Sequence, residues 1–242
     1  PVAFPHRASA MPNPIAPLSH HWHDATHIAY GVATAGVYAR QWRVQGSLFN
    51  GREPDEERYD LDFGALDSFS VRGWLLPADR LALQVAAGHL SEAEESHEAE
   101  PRVDVDRITA SATYHQPFRE GGSIWASTVG WGRNGEEGES TSFFLAETNV
   151  TFDEQDTYFG RLEIGGKSAH DLVADVDEVF TVAKVQAGYV RYLEPWHSLK
   201  PGVGATISMS LVPTALDAVY ERRATFGFGI FVTLRPAAAS PH

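Results

Sequence analysis

The chain contains no cysteine. That removes disulfide frameworks, thiol nucleophiles, iron–sulfur clusters and cysteine zinc sites together. No apolar run approaches the roughly 18 residues that a membrane-crossing helix needs. A transmembrane strand needs only about 10 alternating residues, so a membrane location stays open. Basic residues are few. Against 32 Asp and Glu stand 19 Lys and Arg, which leaves a formal charge of −13 over 242 residues. Nucleic acid is thereby excluded as the main partner, because phosphate binding needs clustered Lys and Arg. Amphipathic helical periodicity is scarce, and no G-x-S-x-G elbow occurs. Gly165-Gly166-Lys167-Ser168 ends like a phosphate loop, but Arg161 stands where the first glycine belongs. The sequence predicts no enzyme.

What is present is alternation with period two, the mark of strands with two unlike faces. Val203, Ala205, Ile207, Met209 and Leu211 point one way, and Gly204, Thr206, Ser208 and Ser210 the other. Phe226, Phe228, Ile230, Val232 and Leu234 oppose Gly227, Gly229, Phe231, Thr233 and Arg235. Eleven such segments are predicted, near 26–39, 42–50, 66–77, 81–90, 107–116, 123–132, 141–152, 157–164, 179–193, 198–212 and 225–235. One face of each is aliphatic or aromatic; the other is Gly, Ser, Thr, Gln and scattered charge.

The connections carry a second signal. Odd-numbered ones are short, as at Arg40-Gln41 and Asp153-Glu154-Gln155-Asp156. Even-numbered ones are mostly longer and acidic, as between Asn50 and Ala65, and the sixth is read as Arg133 to Ser140. In an up-and-down meander the two sets lie at opposite ends. A bacterial outer-membrane barrel keeps short periplasmic turns at one end and longer extracellular loops at the other. Trp42, Trp125, Trp131, Tyr158, Tyr189, Phe118 and Phe152 fall near strand ends, where such a barrel carries aromatic girdles. The predicted fold is an all-β, antiparallel, up-and-down transmembrane β-barrel with about eleven strands in this chain, part of a larger barrel. Its location is the bacterial outer membrane and its partners are the lipid bilayer and small solutes or ions.

The stretches His20-His21-Trp22-His23-Asp24-Ala25-Thr26-His27-Ile28, Gly46-Ser47-Leu48-Phe49-Asn50-Gly51-Arg52-Glu53-Pro54-Asp55-Glu56 and Leu66-Asp67-Ser68-Phe69-Ser70 resemble a family of bacterial outer-membrane, porin-like β-barrel proteins. Leu83-Gln84-Val85, Thr109-Ala110-Ser111-Ala112, Gly130-Trp131-Gly132-Arg133-Asn134 and Val212-Pro213-Thr214-Ala215-Leu216-Asp217 continue the resemblance in order. It spans nearly the whole chain, and it implies a fold and a location but no substrate. Members of that family look longer at the N-terminus. One departure is the end of the chain, where Arg235 is followed by Pro236 and three alanines rather than by a terminal apolar residue.

Three regions are expected: residues 1–25 as a His-rich extracellular segment, 26–236 as the barrel and 237–242 as a tail. Strand parity sharpens the first. Bacterial single-chain barrels have an even number of strands with both termini inside. Eleven strands with an outer N-terminus break both rules, so an odd number of preceding strands, or a partner chain, is expected to close the barrel.

Candidate lumen residues are Arg43, Arg72, Glu147, Arg161, Glu163, Lys184 and Lys200, whose charges would decide which solutes pass. Glu147 and Glu163 also have the look of a hydrolase acid–base couple, but a lumen charge ladder with Arg161, Lys184 or Arg43 is the better reading. His20, His21, His23, Asp24 and His27 form a candidate site for Zn²⁺ or Cu²⁺, since His21 and His23 share a face in an extended segment. The other reading of these histidines is a polar loop or pore mouth. The acidic run Glu53 to Asp62 lacks the spacing of a calcium loop and reads as solvated. A metal-binding surface protein and a soluble ligand-binding barrel are the competing classes. The soluble barrel requires the apolar faces to point inward.

Overall fold

The computed structural model describes residues 7–23, 31–52, 64–94, 102–119, 122–136, 138–168, 172 and 178–237. It contains one sheet of eleven strands in sequential order, every neighbouring pair antiparallel. The strands are β1 (Val32–Tyr38), β2 (Trp42–Phe49), β3 (Ser68–Ala78), β4 (Leu81–Glu94), β5 (Val103–Pro117) and β6 (Ile124–Glu136). They continue with β7 (Glu139–Phe152), β8 (Asp156–Ser168), β9 (Val179–Tyr192), β10 (Leu199–Leu211) and β11 (Ala224–Pro236). All eleven expected segments are strands, in the expected order. The acidic run 53–62 lies outside the described residues, as does most of the 237–242 tail.

Two connections differ from expectation. The sixth was placed at Arg133 to Ser140, yet β6 and β7 stay paired out to Glu136 opposite Glu139. Gly138, at φ +91°, closes this tight turn, a backbone state glycine adopts without strain. Glu136 and Glu139 are strand ends rather than loop. The fourth connection is also shorter, because β4 runs on to Glu94 and β5 begins at Val103, with a register shift between Leu90 and Glu94.

The faces are the inverse of those of a water-soluble barrel. Pointing outward are Val85, Val129, Phe144, Leu162, Ile207, Phe228 and Ile230, the last three 66%, 89% and 81% exposed. Buried on the other face are Gln84, Thr109, Thr128, Asn149, Gln186 and Thr206, with several charged groups. The soluble-barrel reading, which needs apolar residues inside, does not fit this arrangement. Buried polar groups require partners, and cross-strand bonds supply many. Ser111 donates to Gln84 at 3.0 Å, Arg107 Nε to Asn134 at 2.8 Å, and the hydroxyls of Thr151 and Thr157 pair at 2.8 Å. Apolar residues do enter the inner face at the end bearing the even-numbered connections. One cluster is Phe49, Leu90, Ala93 and Val105, and another gathers Trp22, Phe143, Leu172, Phe180, Val182 and Leu216.

The outer apolar face has polar boundaries. At the end of the short turns, aromatic rings run from strand to strand. Tyr114 meets Trp125 at 5.3 Å, Phe118 meets Phe152 at 5.7 Å, and Tyr158 meets Tyr189 at 5.0 Å. Arg119 lies over both phenylalanines. Toward the other end, His89 pairs outward with Asp106 at 2.8 Å. Of the seven aromatics expected in girdles, Trp125, Tyr158, Tyr189, Phe118 and Phe152 belong to the first boundary.

Among the described residues β1 and β11 do not pair with each other, and each keeps one free edge. Every residue of β1 is exposed.

Candidate functional site

The described part of the N-terminal segment does not stand apart from the sheet. Residues 7–23 lie along the inner face, and their bonds to strands run from the middle of β7 toward the end of the even-numbered connections. Asn149 donates to the carbonyl of Ala8. Ser9 reaches Glu147 at 2.8 Å and Thr128 at 2.7 Å. Asn13 exchanges two amide bonds with Gln186, both 3.1 Å, and Arg161 donates to the carbonyl of Ile15 at 2.8 Å. Ser19 gives Glu163 both its backbone N–H, at 3.0 Å, and its hydroxyl, at 2.8 Å. Residues 1–6 and 24–25 lie outside the described residues. The attraction of this segment to the wall is chemical: its Ser, Asn and Arg groups satisfy polar atoms that the strands turn inward.

The segment ends in a helical turn, α1 (His20–His23), rather than the extended chain expected. Residues i and i+2 of a helix point apart, so His21 and His23 no longer share a face. His20 bonds the carbonyl of Pro17 at 2.8 Å and packs on the ring of His21 at 4.2 Å. His23 is only 1% exposed. Burial and the positive charges of Arg7 and Arg107 lower its pKa to about 3, although a backbone hydrogen bond at Phe143 opposes this. Asp24 and His27 lie outside the described residues, and no group of three metal-ligating side chains occurs among those described. Trp22 anchors the turn. Its indole N–H donates to Thr141 at 2.8 Å, its ring packs on Phe143 at 4.9 Å, and Lys167 sits over it at 5.2 Å. Gly132 makes the approach possible, since a Cβ there would collide with the Trp22 carbonyl and the His23 ring.

All seven candidate lumen residues occupy the inward register. Glu147 faces Arg161, Glu163 faces Lys184, Arg72 faces Gln45, and Lys200 faces Arg235. The expected ladder exists between Glu147 and Arg161, 3.1 Å apart, both side chains at most 3% exposed. Arg7 pairs with the same carboxylate, a partner that strand alternation does not reveal. Glu163 and Lys184 are register neighbours, but the hydrogen bonds described for Glu163 come from Ser19. Lys200 reaches Glu154 at 3.2 Å. Arg43 is exposed and lies 5.8 Å from the ring centre of Trp74. With Tyr38, Ala39, Trp42 and Leu76 these two line a hollow of about 340 Å³ at the short-turn end of β1–β3.

The arrangement defines an all-β protein of one up-and-down sheet, apolar outside and polar inside, with part of its own chain laid against the inner wall. No protein-family model matches the chain, and no curated protein matches it. Among solved structures it is similar to OmpT (in-vitro folded), an outer membrane protein of Vibrio cholerae, at 12% identity and a TM-score of 0.44. The match covers 83% of this chain and 62% of that one, so this chain spans less than two thirds of that structure's length.

Proposed function

We propose that this protein is a bacterial outer-membrane β-barrel that passively conducts small solutes or ions, with residues 7–23 constricting its lumen. The observation that carries the reading is the inverted distribution of polarity. Lipid rewards apolar side chains outside, and a water-filled interior rewards polar ones within. The dimensions agree. From outward Asp106 to outward Tyr114 on β5, a strand rise of about 3.3 Å per residue gives about 26 Å along the strand, and barrels carry apolar bands about 25 Å tall. The aromatic row at the short-turn end supplies the interfacial girdle. Free backbone edges are intolerable in hydrocarbon, so in this reading further strands pair with β1 and β11 in the membrane.

The constriction follows from where the inner segment lies. The contacts described between residues 7–23 and the strands fall on β5 to β9. In this reading the path runs beside the part of the wall that the segment does not contact. The test is conductance in planar lipid bilayers of protein first shown to be folded by heat-modifiable electrophoretic mobility. Discrete channels that widen when the segment is displaced support the reading. Folded protein that inserts and never conducts overturns it.

A further inference from the structure

The outer face carries a charged feature of its own, at the end of the even-numbered connections. Two register rows cross β3 to β6 there. The outermost holds Phe69, His89, Asp106 and Gly135, and the next toward the middle of the strands holds Val71, Ala87, Ile108 and Arg133. Between them lies a hollow of about 550 Å³. Small residues open it: Gly135 has no side chain, and Ala87 adds only a methyl group between larger neighbours.

The hollow is ordered along the strands. Val71 and Ile108, both exposed, give it an apolar floor. Arg133 stands in the same row as Ile108 and is exposed. One row further out is the Asp106 carboxylate, and Asp104 follows two residues beyond on β5. His89 fixes both acids, its Nδ1 2.8 Å from Asp106 and its Nε2 3.6 Å from Asp104. The ring of Phe69 packs on His89 at 5.7 Å.

Asp106 marks the polar boundary of the apolar band on β5. Arg133 therefore sits about 7 Å on the apolar side of that boundary. A guanidinium at such a depth reaches toward the headgroup level, and its charge is costly there without an anion. Among the described residues no hydrogen bond or ion pair reaches the Arg133 side chain. Its diagonal neighbour Asp106 is already bound to His89. From the middle of the strands outward the order is thus apolar floor, cation, carboxylates. A zwitterionic phospholipid has the complementary order of acyl chain, phosphate and ammonium. Arginine binds phosphate through charge-assisted, often bidentate hydrogen bonds. A primary ammonium offers its own N–H donors to carboxylates.

From this complementarity we infer that the hollow binds one phospholipid with a phosphoethanolamine headgroup. Its phosphate lies at Arg133, its ammonium at Asp104 and Asp106, and an acyl chain along Val71 and Ile108. The inference rests on the lipid-facing assignment of the outer surface in the reading above and is independent of conduction.

The experiment is native mass spectrometry of the full chain, first shown to be folded by heat-modifiable mobility. The detergent micelles contain equal amounts of phosphatidylethanolamine, phosphatidylcholine and phosphatidylglycerol with identical acyl chains. One phosphatidylethanolamine is expected to be retained about tenfold better than either competitor, since choline has no N–H to donate and glycerol has no cation. Arg133→Gln is expected to lower that retention by about tenfold. Asp104→Asn/Asp106→Asn is expected to abolish the preference for ethanolamine over choline while leaving phosphatidylcholine binding unchanged. Gly135→Leu is expected to fill the hollow and exclude the lipid; a Cβ at Gly135 meets no atom closer than 3.8 Å, so the backbone accepts the change. Equal retention of the three lipids, or phosphatidylglycerol retained best, overturns the inference and leaves the barrel reading standing. So does a folded Arg133→Gln variant that keeps phosphatidylethanolamine as the wild type does. Should Arg133→Gln fail to fold, undiminished retention by Gly135→Leu overturns the inference. A wild-type chain that stays soluble without detergent and shows no heat-modifiable form overturns the lipid-facing assignment, and the inference falls with it.

Discussion

Along β6–β9 the inner wall is covered by residues 7–23, and its charges are enclosed in a fixed set of partners. At the short-turn end of β1–β3 the inward Arg43 is instead exposed, beside an aromatic-lined hollow. Both regions obey one alternation, and both point polar groups inward. The difference lies in dielectric surroundings. On the covered side a charge survives only with a counter-charge and satisfied hydrogen bonds. At the exposed Arg43 water does that work, so no fixed counter-charge is required there. A wall of uniform alternation thereby holds both enclosed and solvated charges.

The largest effect that tests this division is expected at Glu147. Glu147→Ala strands Arg161 and Arg7 in a buried setting, and loss of about 3–5 kcal/mol is expected, as for other broken buried pairs. Arg43→Ala at the exposed position is expected to stay within about 0.5 kcal/mol, as surface changes do. Urea unfolding from lipid vesicles, followed by tryptophan fluorescence, checks both. Comparable losses at the two positions would erase the distinction.

Next in size comes the outer face. Ile207→Arg on β10 is expected to cost about 2–4 kcal/mol if that position lies near the bilayer midplane, measured by the same unfolding. In detergent-free water the exposed apolar face gives the opposite expectation, namely aggregation of wild-type protein that the substitution relieves. A neutral Ile207→Arg in vesicles would remove the lipid-facing assignment.

A smaller change is aimed at the covering segment. Gly132→Val fills the space that admits the Trp22 carbonyl and the His23 ring. The segment is expected to detach while the sheet remains, read as at least tenfold faster tryptic cleavage after Arg7 and as larger unitary conductance. Unchanged cleavage would show that α1 does not depend on this approach.

The smallest effect is one of pH. The docked His23 has its pKa lowered to about 3, against an ordinary value of about 6.5 once released. The released form therefore binds the extra proton. Docking is fully favoured above about pH 6.5 and weakens as pH falls from there toward 3, by up to about tenfold per pH unit. Tryptic or acid-protease sensitivity at Arg7 and neighbouring bonds is expected to rise on acidification, and to lose its dependence on His23 in the His23→Phe variant. An identical pH profile in that variant would assign the effect to other groups.

Much of this fold was legible because strand formation in a two-sided sheet is written locally. Val203 to Leu211 alternate with period two, and that suffices to state both that they form a strand and that Thr206 and Ile207 point opposite ways. The inward placement of Arg43, Arg72, Glu147, Arg161, Glu163, Lys184 and Lys200 follows from the same parity, without knowledge of any neighbour. Parity does not report which inward groups meet. The Glu147–Arg161 pair was legible as a ladder across adjacent strands. The third member, Arg7, is 140 residues from Glu147.

The sequence by itself determined eleven strands, their order, the polar and apolar faces of each and the short turns at one end. Those properties depend on neighbours a few residues apart. Only the tertiary structure decided that residues 7–23 lie along the inner face, that α1 turns His21 and His23 apart, that Glu136 and Glu139 flank a tight turn, and that β1 and β11 do not pair with each other among the described residues. Each depends on groups distant in the chain competing for the same polar surface. Residues 7–23 have no strong periodicity of their own, and their conformation is set by the hydrogen-bonding groups of the wall they cover.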